Sequence, residues 1–347
     1  MQQVEYIVVG LGIAGISFCE RLFAANKAFV VYDPGVNHST LISGGVLNPV
    51  VLKRFTATWR AQEQLDAAIA FYKSLSETLT IPLLEATAIH RIFKSIEEQN
   101  DWMVASDKKE LSSFLASEIS KNTNTAINAP FGFGKVHNAF KINTSLLINA
   151  YRKYLAKEGL LQAETFEYEA LKSTTEGFQY KNILAKKIVF SEGASVIHNP
   201  YFRNDFVIPN KGEYVLIYAP QLQSDAILKG GMHLIPLGND TYKVGATYAR
   251  DEFDTHPSEV KKQQIIIQLE KMISCEYEIV GHIAGVRPTT KDRRPLLGSL
   301  AAHKNIYFFS GLGTRGIMGA PWLSKKLLDF SEHTIPLPEE VAISRFC

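Results

Sequence analysis

The chain has 347 residues, 46% of them hydrophobic and 21% charged, with a formal net charge of +2. That composition predicts a folded globular protein with one large core, or two domains sharing a cleft, and excludes a disordered chain. The charge is too near neutral to signal a large polyanionic partner, and no run of about 18 apolar residues predicts a membrane span. Val4 to Val9 reads VEYIVV, an apolar run suited to a buried parallel strand. Gly10-Leu11-Gly12-Ile13-Ala14-Gly15 follows at once, then a helix from Ile16 to Ala25 and a second strand, Phe29 to Tyr32, ending at Asp33. Gly10 permits the tight turn, Gly12 lets the backbone approach a pyrophosphate, and Gly15 lets the helix pack close to the strand. The helix start turns free N–H groups and a positive dipole end toward the phosphates, so Ile13 and Ala14 join the glycines as cofactor-binding residues. Asp33 lies eighteen residues past Gly15, where a carboxylate accepts hydrogen bonds from ribose. Strand, glycines, helix, strand and acid in this order specify a dinucleotide site, in a unit that runs to about Gly35.

Residues 57–79 look helical, with Trp59, Leu65, Ile69, Phe71 and Tyr72 giving a loose apolar face. Residues 88–105, with Ile89, Arg91 and Phe93 before a polar stretch, suit a strand and a loop. Asn143-Thr144-Ser145 caps a helix from Leu146 to Lys157, which Gly159 stops. Asn182 to Phe190 holds a buried strand closed by Glu192-Gly193. Glu213 to Ala219, Met232 to Leu237 and Thr241 to Thr247 read as three strands, most economically antiparallel. Pro257 opens a helix to about Ile273, and Tyr277 to Val286 is a strand leading into Arg287-Pro288. Ile306 to Ser310 is a parallel-type strand before Gly311-Leu312-Gly313 and a helix from about Ile317 to Phe330. The fold class is α/β. A discontinuous Rossmann-like cofactor domain takes residues 1–75, 140–200 and 285–335. A mixed, largely antiparallel-sheet substrate domain takes 76–139 and 201–284, and 336–347 is a C-terminal tail. The active site is expected in the cleft between the domains.

Cys19, Cys275 and Cys347 are odd in number and far apart, which points to a reducing, cytoplasmic setting and not to a disulfide framework. Cys19, on the first helix, is read as structural. The start lacks a basic segment and a cleavage site, so no signal peptide is expected. No C-x-x-C or H-E-x-x-H occurs, and no metal site is expected.

Residues 285–298, from Gly285-Val286-Arg287-Pro288 through Asp292 and Pro295 to Gly298, form a G-x-R-P-x-x-x-D-x-x-P-x-x-G stretch. It resembles that of the D-amino-acid oxidase and glycine oxidase superfamily of FAD enzymes. Gly311-Leu312-Gly313-Thr314-Arg315-Gly316, with Ala320-Pro321 after it, resembles the flavin-covering loop and last helix of that superfamily. Ser43-Gly44-Gly45-Val46-Leu47-Asn48-Pro49 looks like its segment along the flavin, and Leu234-Ile235-Pro236 with Val244-Gly245-Ala246-Thr247 like its substrate-domain hairpin. The resemblance covers nearly the whole chain. It implies the D-amino-acid oxidase and glutathione reductase-like fold and one non-covalent FAD. By the same resemblance Thr40, Ser43, Gly44, Gly45, Leu47, Gly193, Gly285, Gly311, Gly313, Thr314, Arg315 and Gly316 join the cofactor site. It also makes Arg287 the fork for a substrate carboxylate, since a guanidinium is planar, charged and bidentate. The competing reading is a structural Arg287 paired with Asp292 or another buried acid. Arg315 serves either the reduced flavin's charge or a surface salt bridge.

Where glycine oxidase has a tyrosine, this chain has His233, which meets a carboxylate or an amine or is simply packed on its strand. Tyr248 is the candidate for the missing hydroxyl. His38 is weighed as a covalent flavin attachment point and set aside. The chemistry implied is oxidation of the C–N bond of a small amino acid or secondary-amine carboxylate, with hydride leaving Cα for the flavin and water hydrolysing the imine. No second glycine fingerprint for a pyridine nucleotide is present, so oxygen or another acceptor is expected to take the electrons. Two rivals stand: an FAD oxidase acting on the modified wobble uridine of tRNA, and a flavin-binding protein without turnover. The first needs clustered basic residues, and Lys53-Arg54, Arg293-Arg294 and Lys325-Lys326 are only pairs, so nucleic acid is not an expected partner.

Overall fold

Tyr6, Ile7, Val8 and Val9 are all buried in the first strand, Gln2–Val9, as befits a strand covered on both faces. The structure, a computed structural model, describes residues 1–36, 39–203 and 205–346; His38 and Cys347 lie outside the described residues. Phe29–Tyr32 pairs parallel with the first strand on one side and Ile183–Phe190 on the other. Leu161–Gln162 and Ile306–Ser310 extend the parallel run outward. Leu296–Gly298 and the hairpin Leu171–Thr174/Gly177–Tyr180 add antiparallel edges, making eight strands. Aromatic side chains cover one face, with Phe166 stacked on Tyr180 at 4.2 Å between centroids. On the other face the helix Gly316–His333 packs against Ile13–Ala24 and Ala61–Leu79. Pro321 lies inside that last helix and has no N–H to give Ile317. The buried hydroxyl of Tyr72 donates to the Ile317 carbonyl instead, at 2.7 Å, so the helix continues unbroken.

The second sheet has ten strands and is antiparallel except where Ile227–Lys229 runs parallel to Leu84–Ile92. Ile208–Tyr218 lies between Glu278–Thr289 and Thr241–Gly245, and His233–Gly238 pairs on the far side of the latter. The three strands expected to pair antiparallel do so, in the order Ile208–Tyr218, Thr241–Gly245, His233–Gly238. Val46–Leu47, inside residues 1–75, pairs with Phe133–Ile142 of this second sheet.

Two elements differ from expectation. Residues 88–105 are not a strand and loop: the strand Leu84–Ile92 gives way to a helix, Ile96–Ser106. Its apolar periodicity is faint because Ile96, Met103 and Val104 are exposed, while Trp102 and Ala105 hold it to the core. Pro257 is not in the first turn of its helix. Ser258 caps it, accepting from the Lys261 amide, and the helix is Glu259–Leu269. Near the C-terminus Val341 and Ile343 are buried, and the Leu297 amide donates to the Val341 carbonyl. Among the described residues no helix is long and apolar enough to cross a membrane.

Candidate active site

The two sheets face each other across one cavity of about 1360 Å³. Small-ligand pockets usually span about 300–1,000 Å³, so this one has room for a dinucleotide and a substrate together.

The glycine loop makes the first wall. Gly12 is the N-cap of Ile13–Ala24 and has no side chain to cap with. Thr40 does so from another segment: its Oγ1 accepts the Ile13 N–H at 3.0 Å. The Ile13 amide is therefore occupied, and the Ala14 and Gly15 amides are the first-turn donors without an intrahelical acceptor. They are the groups suited to a pyrophosphate. The Asp33 carboxylate, 2% exposed, accepts the Leu11 amide at 2.7 Å and the Gly35 amide at 2.8 Å and pairs with Arg152. It shapes the loop from the cavity wall. Sequence reasoning missed Arg152, which arrives from the separate helix Thr144–Lys157.

Glu192 lies on the same wall and takes hydrogen bonds from Tyr168 and, at 2.9 Å, from Asn199. Burial outweighs both and pushes its carboxyl up to about 7. The folded state thus holds a proton that the unfolded chain releases near its ordinary value. Glu192 should cost stability progressively as pH rises from about 4.5 through about 7, the cost being complete above that. Urea denaturation between pH 5 and 8 should show a flatter pH profile for Glu192→Gln than for wild type. Parallel profiles would contradict this assignment.

Residues 39–46 and 313–318 form the second wall. Lys243, 7% exposed, donates to the Ile42 and Ser43 carbonyls at 3.3 and 3.0 Å and fixes the first of these segments. Burial brings its ammonium down to about 8. Arg315 is the N-cap residue of the last helix and donates to the Asn48 carbonyl at 3.0 Å. Burial lowers it to about 10, so it stays cationic at neutral pH. Among the described residues it has no carboxylate partner, and the surface salt bridge considered for it is not formed.

The second sheet presents Arg287 from the strand Glu278–Thr289. Its Nη1 donates to the Thr247 carbonyl at 3.2 Å, and the Tyr214 hydroxyl is near enough to feel its charge. Its guanidinium lies 4.9 Å from the centre of the Tyr248 ring. Asp292 does not pair with Arg287; it is taken by Arg345, at 2.8 Å. Arg287 has no carboxylate partner among the described residues. Tyr248 offers its ring face and is 63% exposed, so the hydroxyl beside Arg287 belongs to Tyr214, which the sequence did not single out. Gly212 leaves the guanidinium its space, since a Cβ there would stand 2.0 Å from Nη2. His233 lines the cavity, and burial, then Lys229, Arg315 and Arg91, lower its imidazole to about 3. It is neutral at physiological pH.

Of the cofactor and substrate residues singled out in the sequence, all the described ones line the cavity except Gly15, Leu47 and Gly311. The arrangement fits an anionic dinucleotide: open first-turn amides, no protein atom nearer than 3.4 Å to a Cβ built on Gly12, and an uncompensated Arg315.

A family model described as FAD dependent oxidoreductase matches residues 5–329, and the chain belongs to that family. Glycine oxidase of Bacillus subtilis is 23% identical over 91% of this chain and 90% of that enzyme. Glycine oxidase of Geobacillus kaustophilus is 27% identical over 36% of this chain, and the match spans only about a third (34%) of that enzyme. Its crystal structure superposes with a TM-score of 0.79 at 18% identity, covering 97% of this chain and 96% of that one. The tRNA 5-methylaminomethyl-2-thiouridine biosynthesis bifunctional protein MnmC of Idiomarina loihiensis is 26% identical over 40% of this chain and 24% of its own length. The protein is thus an FAD-dependent oxidoreductase, and its likeness to the solved glycine oxidase is one of fold.

Proposed function

We propose that the protein oxidises the C–N bond of a small amino acid or secondary-amine carboxylate. The observation that carries this reading is Arg287: a guanidinium on the cavity wall, held by the Thr247 carbonyl, with no protein carboxylate to neutralise it among the described residues. Bound FAD supplies the two-electron acceptor for the hydride on the carbon that bears the amine. The residues of the chain bind and orient. The first-turn amides of Ala14 and Gly15 would hold the pyrophosphate, Asp33 the ribose, and Gly313 to Gly316 the flavin end, all without a covalent link. Arg287 fixes the substrate carboxylate by two parallel hydrogen bonds, which sets which hydrogen faces the acceptor. His233, being neutral, can accept a hydrogen bond from the substrate amine without repelling an ammonium, a contact a cationic imidazole would forbid. Water then hydrolyses the imine.

Anaerobic mixing with glycine, N-methylglycine, alanine, proline and other amino acids tests the proposal. At least one should bleach the oxidised flavin band in a single turnover. A panel that leaves the band unchanged while dithionite bleaches it would indicate a different substrate class. The likeness to the tRNA-modifying protein gives a second reading, a carboxymethylamino group on a tRNA base. A salt-sensitive gel shift with unmodified and modified tRNA would favour it.

A further inference from the structure

Strand pairing sets a row of side chains across the second sheet. Arg91 is opposite Lys229, Lys229 opposite His233, His233 opposite Gly245, and Gly245 opposite Tyr214. Residues directly opposite share a face, and adjacent strands lie about 4.8 Å apart. All five line the cavity. The row thus starts at Tyr214, beside Arg287, passes the small Gly245 and the neutral His233, and ends in two cations.

Of these two, Arg91 is paired and Lys229, among the described residues, is not. Arg91 is paired with Glu98 at 2.5 Å and donates to the Lys229 and Gly230 carbonyls at 3.1 and 2.8 Å. Glu98 is fully engaged, since it also accepts the Lys94 amide at 2.8 Å. Lys229 has only a long contact, 3.4 Å, to the Gly231 carbonyl and no carboxylate partner among the described residues. Lys53 and Lys94 line the same wall, so four cations stand around one carboxylate. The cofactor's phosphates belong at the glycine loop on the other sheet, and the substrate carboxylate belongs at Arg287.

We infer that Lys229, backed by Arg91, is a second anion subsite, so that the substrate carries another acidic group, carboxylate or phosphate, on the side of the amine away from the carboxylate held by Arg287. This rests on the carboxylate anchor proposed above. An anion there replaces the missing partner of a half-buried ammonium and offsets repulsion among the neighbouring cations. The crowding is visible in Lys229 itself, which burial, then Arg91, Lys94 and Lys53, bring down to about 8. Between the two anion sites His233 adds no charge of its own, so the substrate's amine does not meet a third cation.

The test is ligand titration of the FAD-loaded protein, read as a shift of the flavin absorption band. Acetate, butyrate and valerate are the monoacids. Succinate, glutarate, adipate and 3-phosphonopropionate carry the second acid, the last reporting whether phosphate chemistry is preferred. One or more of the second group should bind about tenfold or more tightly than the monoacid of like length. Lys229→Gln should remove that gain while moving the monoacid Kd by less than about twofold, and Lys229→Arg should restore it. If monoacids shift the band and no diacid does better, the subsite falls and the Arg287 anchor stands. A gain that survives Lys229→Gln overturns the subsite as well. If no acid shifts the band, the carboxylate anchor falls and the subsite with it. Salt-sensitive binding of a tRNA stem-loop that needs Lys229, with no diacid gain, overturns the small-acid subsite in favour of nucleic acid.

Discussion

Arg287→Ala is expected to fold, keep its FAD and lose most of its ability to be reduced by substrate. The guanidinium is held by a carbonyl and an aromatic face, and neither of these is a charge. Deleting it leaves no buried carboxylate orphaned, so the fold should tolerate the change. A substrate carboxylate brought to the same place has then lost its only bidentate partner on this wall. The expected loss in kcat/KM for flavin reduction is on the order of 2–5 kcal/mol, roughly thirtyfold to several thousandfold. Arg287→Lys should fall between, since an ammonium keeps the charge without the planar fork. Benzoate should shift the flavin band of wild type and leave that of the alanine variant unmoved. His233→Phe should do less than either, because the imidazole is neutral and shapes the pocket. Gly212→Ala separates position from charge: its methyl would stand 2.0 Å from Nη2 and must push the guanidinium aside. Its kcat/KM should drop although Arg287 is intact. An Arg287→Ala protein reduced by the same acid at wild-type rate and affinity would falsify the anchor and leave a non-carboxylate amine as the substrate class.

What the sequence made legible follows from range. The glycine loop, Asp33, the Gly285–Gly298 stretch and the last glycine loop are each contained in a few consecutive residues, so local chemistry identifies them. The partners that finish the site are distant in the chain. Arg152 reaches Asp33 from 119 residues away, and Thr40 caps a helix that starts 27 residues before it. Tyr214, Lys229 and Arg91 meet only through strand register, which no short window reveals. Asp292 shows the converse error: it is close to Arg287 in sequence, yet Arg345, 53 residues on, takes it. One missed element did carry a local signal. Ser95-Ile96-Glu97-Glu98 has the form of a capping box, and Ser95 Oγ accepts the Glu98 amide at 3.3 Å. Glu98 does not complete the box by reaching back to Ser95; its carboxylate goes to Arg91 and to the Lys94 amide. The helix was hidden because its exposed face carries Ile96, Met103 and Val104, which blur the apolar period.

Gly12→Val and Gly15→Val should fail in different ways, and the difference identifies which glycine serves the ligand. A Cβ on Gly15 would stand 2.0 Å from the Gly10 carbonyl oxygen and 2.9 Å from Ser191 Oγ. Backbone cannot retreat from such a contact without moving the first strand away from its helix. Gly10 is equally constrained, with φ at +93° and a Cβ position 2.6 Å from the Ser191 carbonyl. Valine at Gly15 should therefore cost more than the roughly 1–3 kcal/mol of ordinary overpacking and leave little folded protein. Gly12 is different. The nearest atom to its Cβ is Thr40 Oγ1 at 3.4 Å, and its φ of −73° suits any residue. Valine there should cost only the loss of a good N-cap residue, about 1 kcal/mol. The space its side chain enters is the approach to the Ala14 and Gly15 amides, where a pyrophosphate must come close. Gly12→Val should thus purify folded and colourless, with a urea midpoint close to that of FAD-stripped wild type. Acid precipitation of wild type should release yellow FAD into the supernatant, since no covalent link is proposed. A yellow Gly12→Val protein with one FAD per chain would show that the cofactor does not approach the backbone there, and the pyrophosphate assignment of the first helix would have to be withdrawn.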